Sequence, residues 1–125
     1  MVKSIVSMII AALIIIGGCI WENLYINNTF DELHETFDII ETKLENETCS
    51  EKDVLYAQKV WLDKKEELHA VIPHTDIKEV DLWISECLYY TSDKDYKEAQ
   101  GKVTVILELL EQIPRNYLIR FENIF

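Results

Sequence analysis

Hydrophobic residues are distributed along this chain in two different ways. From Ser4 to Trp21 they are nearly continuous, eighteen residues without a charge, seven of them isoleucine. From Glu22 onward they recur at spacings of three and four, separated by acidic and polar positions. The first pattern suits a helix that is apolar all round, the second a set of helices with one buried stripe each. No alternating stretch with turn glycines, the mark of paired strands, interrupts either part.

The periodic part divides into four. Thr29-x-x-Glu32 reads as a capping box ahead of Phe30, Leu33, Phe37, Ile40 and Leu44, a stripe that stops near Asn46-Glu47-Thr48-Cys49. Only Asn27-Asn28 separates that stripe from the apolar run, so the two can also be one helix. Ser50-x-x-Asp53 caps a second helix with Val54, Ala57, Trp61, Leu68 and Val71 inward, halted by Pro73. A third follows His74-Thr75, with Ile77, Val80, Ile84, Cys87 and Leu88 inward. After Thr91-Ser92-Asp93 a fourth carries Tyr96, Ala99, Val103, Ile106, Leu110 and Ile113, and is expected to end at Pro114. Gly101 falls inside it at a cost of about 1 kcal/mol against Ala, which points to a close helix approach or a mild kink. Short connections favour antiparallel neighbours. The expected fold is all-α, an N-terminal membrane-anchor helix (1–21) followed by an up-and-down antiparallel bundle of about four helices (22–125).

The apolar run is weighed by length. Eighteen helical residues rise roughly 27 Å, just under a hydrocarbon core of about 30 Å. Trp21 and Tyr25 stand where interfacial aromatics belong, and Glu22 marks the water boundary. Three readings are open: a retained anchor, a cleaved signal peptide, or a lipidated cysteine. The last rests on Ile15-Ile16-Gly17-Gly18-Cys19, a loose lipobox that would make Cys19 the acylated N-terminus. Lys3 is the only Lys or Arg before the run, and none lies between Glu22 and Glu41. Positive-inside logic therefore expects a cytoplasmic N-terminus and a domain outside the cell membrane.

Charge narrows the function. Residues 22–125 hold eleven Lys/Arg against twenty-three Asp/Glu, a formal charge of −12. Such a surface is unsuited to nucleic acid or anionic lipid headgroups. Three glycines leave no phosphate-binding loop. Carboxylates are spread over every helix, so no acid/base pair stands out. His69 and His74 straddle Pro73 near Glu66 and Asp76, a weak metal-site pattern, and no histidine pair has helical i, i+4 spacing. Cys49 and Cys87 allow a disulfide in principle, although Cys87 falls on an apolar stripe and reads as core. The tail from Tyr117 is apolar to its end, and Phe121, Ile124 and Phe125 are expected to pack on the bundle or dock on a partner.

Trp61, the stretch His74-Thr75-Asp76-Ile77-Lys78-Glu79-Val80-Asp81, the run Leu109-Leu110-Glu111-Gln112-Ile113-Pro114 and the terminal Glu122-Asn123-Ile124-Phe125 carry a resemblance. Together they resemble the family catalogued as domain of unknown function 4363, short single-anchor proteins of Gram-positive bacteria. A His often stands in that family where this chain has Gln112. The resemblance implies no catalytic residue, no cofactor and no metal, and suggests a multi-pass membrane protein as partner. The expected function is a membrane-anchored, non-catalytic accessory module acting by protein–protein contact. The alternative is an extracytoplasmic sensor or binding module for a small ligand or cation. A closed core with an exposed apolar stripe favours the first; perturbed carboxylates or histidines in a deep pocket favour the second.

Overall fold

A computed structural model describes the backbone of residues 1–124 and the side chains of residues 1–117. Among the described residues there are four helices: α1 (Val2–Glu45), α2 (Glu51–Leu68), α3 (His74–Ser92) and α4 (Tyr96–Ile124). α1 packs on α2 and α4, and α3 packs on the same two, so the helices form a ring in chain order. Pairs such as Lys43–Asp53, Glu32–Lys64 and Tyr25–Glu67 run in opposite directions along α1 and α2, as antiparallel neighbours require. The expected all-α bundle with an apolar N-terminal helix is the observed architecture.

α1 is one helix of 44 residues, roughly 66 Å long. The capping box expected at Thr29 is not formed. Thr29 is buried, and its hydroxyl donates instead to the Tyr25 carbonyl at 2.8 Å. That internal bond satisfies the side chain inside a helix and leaves nothing to start a new one. Asn27-Asn28 is likewise carried within α1. The apolar run and the first bundle helix are therefore a single rod, and none of its eighteen-residue apolar window is buried among the described residues.

The turns explain how the rod folds back. Glu47 and Lys94 have φ of 55° and 59°, each just past the end of a helix. At the end of α1, Thr48 N–H donates to the Lys43 carbonyl and Glu47 N–H to that of Leu44. At the end of α3, Asp95 N–H donates to Tyr90 and Lys94 N–H to Thr91. Both are Schellman motifs with a non-glycine residue in the left-handed position. Neither was legible in the sequence, because the glycine that announces such a turn is absent. Ser50 and Asp53 do open α2, with the Asp53 carboxylate accepting from the Ser50 N–H at 2.9 Å. Asp95 plays that part for α4, accepting from the Glu98 N–H at 3.3 Å.

Two further expectations change. Pro114 does not end α4, which continues to Ile124. Proline removes one N–H and crowds the preceding turn, yet the helix goes on beside α1, where Ile113 is buried and Tyr117 half-buried. Gly101 is exposed, and a Cβ there would meet nothing within 4 Å, so no close helix approach accounts for it. The core itself follows the periodic stripes, from Ile26, Phe30, Leu33 and Phe37 on α1 to Val103, Ile106 and Leu110 on α4. Val71 falls just beyond α2 and is half-buried, while its neighbour Ile72 takes the buried place.

Candidate functional site

Polar contacts fix the register of the bundle before any surface can be assigned a role. Trp61 is buried, and its indole N–H donates to Asp81 Oδ1 at 2.6 Å. Lys65 Nζ reaches Oδ2 of the same carboxylate at 2.7 Å. Asp81 thus ties α2 to α3 from two consecutive turns. On the α3–α4 seam, Lys102 lies over the rings of Trp83 and Tyr90 at 5.1 and 5.6 Å and pairs with Glu86 at 3.6 Å. His34 Nε2 stands 3.2 Å from Glu111 between α1 and α4.

With Trp61 and Lys65 both on Asp81, Leu62 lies level with Leu82, and Leu55 level with Tyr89. All four are exposed, at 43 % (Leu55), 46 % (Leu62), 56 % (Leu82) and 66 % (Tyr89). In each helix the pair is seven residues apart, two full turns, so each pair lies on one line. They form two outward lines of two apolar residues each on the α2–α3 pair, outside the buried stripes. Periodicity marked the inward stripes; these outward residues sit between them in sequence and gave no signal of their own.

A second feature lies where the bundle meets the apolar run. A groove of about 430 Å³ runs along α1 beneath the end of α2, lined by Ile15, Gly18, Trp21, Glu22, Tyr25 and Glu67 among others. The Trp21 and Tyr25 rings stack at 5.7 Å on one wall, and the Tyr25 hydroxyl donates to Glu67. Cys19 is half-buried at the edge of this groove, within the unbroken turns of α1. On the α4 side of the rod, Tyr117 bonds Glu22, and burial followed by the Glu22 charge raises its phenol above the ordinary range.

The thiols and imidazoles are placed as follows. Cys49 and Cys87 are buried free thiols, each pushed up to about 11, chiefly by burial. The His69 and His74 rings stack at 5.6 Å on exposed residues. Among the described residues no three His, Cys, Asp or Glu side chains converge on a metal-sized site. Phe121 and Ile124 fall on the last turns of α4, but their side chains, and all of Phe125, lie outside the described residues. Gln112 is exposed.

A four-helix bundle continuous with a free apolar helix is the class these features define. Residues 20–124 match the family described as Domain of unknown function (DUF4363), and the chain belongs to it. No curated protein and no solved structure matches the chain. The Asp81 contacts add a physical meaning to the family resemblance. Trp61 and the His74–Asp81 stretch, apart in sequence, are joined here by one hydrogen bond.

Proposed function

We propose that this protein is a membrane-anchored accessory module, with α1 crossing the cell membrane and the acidic bundle held outside it. Its work is contact with a membrane-protein partner, a helix of which lies along the α2–α3 outer face. The observation that carries this reading is the matched pair of apolar rows, Leu55 and Leu62 beside Leu82 and Tyr89, on a bundle whose core is already closed. Apolar residues at seven-residue spacing on two adjacent antiparallel helices present the surface that a third amphipathic helix covers. The unbroken α1 supports the reading mechanically. A rod without a hinge holds the bundle at a fixed height and heading over the bilayer, which suits docking on a membrane neighbour more than searching in solution.

A photoreactive residue placed at Leu62 or Leu82 in native membranes tests the face directly. Adducts with one membrane protein are expected from both positions and none from Glu108 on the exposed side of α4. Equal capture at all three positions sinks the assignment.

A further inference from the structure

We infer that the groove beneath the end of α2 binds one bilayer lipid, its acyl chain in the trough and an amine-bearing headgroup of the ethanolamine type at the mouth. The inference rests on α1 being a membrane anchor. From Ile15 to Ile26 the trough follows twelve residues of α1, about 16 Å. Its lining changes along that length. Ile15 and Gly18 lie at the end inside the apolar run; Glu22, Tyr25 and Glu67 lie at the end where the bundle begins. This is the polarity profile of a lipid, in the direction a lipid takes in the leaflet next to the bundle.

Size and charge select the occupant. A volume of about 430 Å³, walled mainly by apolar and aromatic side chains with a few polar groups, is that of a small-ligand site. Gly18 leaves the floor open: a Cβ built there meets nothing within 4 Å. Two carboxylates line the groove, Glu22, which Tyr117 also bonds, and Glu67, which accepts from Tyr25, and no Lys or Arg lines it among the described residues. An ammonium headgroup gains charge-assisted hydrogen bonds there, whereas an anionic headgroup is repelled. Trp21 and Tyr25 supply the amphipathic wall that interfacial headgroups favour.

The test uses the full chain in phosphatidylcholine vesicles doped with lipids brominated on the acyl chain. Trp21 lines the groove, while Trp61 and Trp83 belong to the bundle, so quenching reports contact at the anchor. At equal doping, brominated phosphatidylethanolamine is expected to quench about five-fold more effectively than brominated phosphatidylglycerol, the ratio that one charge at a membrane surface gives. Glu22→Gln with Glu67→Gln should bring the two lipids to parity. Gly18→Leu, which has room to point into the trough, should lower quenching by both. Equal quenching in the unmodified chain, or preference for the anionic lipid, overturns the site. Quenching blocked by a second copy crosslinked through the Gly18 face also overturns it, in favour of a dimer. Failure of the protein to float with vesicles overturns the anchor reading itself, and the site with it.

Discussion

Trp61 shows how much a single residue is asked to do. Its ring fills the core between α2 and α3 while its N–H reaches the half-exposed Asp81. Trp61→Ala should cost about 3–5 kcal/mol in chemical denaturation, the usual loss for emptying a large aromatic site. Trp61→Phe keeps most of the volume and leaves Asp81 one partner short, for a loss of about 1–3 kcal/mol. A loss below 1 kcal/mol for the alanine variant would place the ring in solvent. Gly101 is the opposite case. It is exposed in mid-helix with open space around it, so Gly101→Ala should stabilise by about 0.5–1 kcal/mol. Destabilisation would reveal a contact that the open surface does not provide. The buried thiols make a third case. Cys49 and Cys87, at about 11, hold thiolate in only about one molecule in a thousand at pH 8. Neither should react with iodoacetamide in the folded protein at pH 8, and both should react in guanidinium. Because their folded values lie above the ordinary thiol value of 9.0, the unfolded chain releases these protons first. Stability should therefore fall as pH rises from about 9 toward 11.

At the scale of elements, the turns decide the topology. Ser50 and Asp53 start α2, and Lys43 from the end of α1 donates to Asp53 Oδ1 at 2.9 Å, closing the α1–α2 corner. The Ser50 N–H, then Lys43, hold the Asp53 carboxyl below its ordinary range. A folded value below the unfolded one gives stability that is complete above the ordinary aspartate pKa of about 3.9 and lost as pH falls through the folded value. Asp53→Asn should cost about 1 kcal/mol at pH 7, as for loss of an N-cap partner. The gap from the unmodified protein should close in acid, and a gap that stays constant down to pH 2 would show that charge plays no part.

For the whole molecule, the reading that α1 is a rigid anchor makes a geometric demand. Protease added outside wall-stripped cells should remove the bundle, and full protection would reverse the proposed topology. Inserting Gly-Gly-Ser between Ile20 and Trp21, ahead of the first buried residue Ile26, should break the rod without touching the α2–α3 face. Loss of crosslinks from Leu62 and Leu82, with thermal stability of the bundle retained, is the expected outcome. Crosslinking that survives the insertion would mean that the face finds its partner without a fixed height over the membrane.

The sequence by itself determined the helices and their inward faces. Apolar spacing of three and four is a local property of each helix, and the residues it marked, such as Phe37, Val54, Ile84 and Ile106, are buried where expected. It also determined the free apolar run, since no packing is needed to read eighteen uncharged residues. Boundaries were less legible. Thr29 and Pro114 carry signals that normally start or stop a helix, but neighbouring helices hold those segments helical and outweigh a local preference of a few kcal/mol. The two Schellman ends were hidden because Glu47 and Lys94 adopt a backbone usually left to glycine. Both candidate surfaces belong wholly to the tertiary structure. Leu62 comes level with Leu82, and Glu67 lines one groove with Glu22, only when antiparallel helices are set in register. That register comes from contacts such as those of Asp81 and Tyr25, between residues 16 to 42 positions apart, where no local pattern reaches.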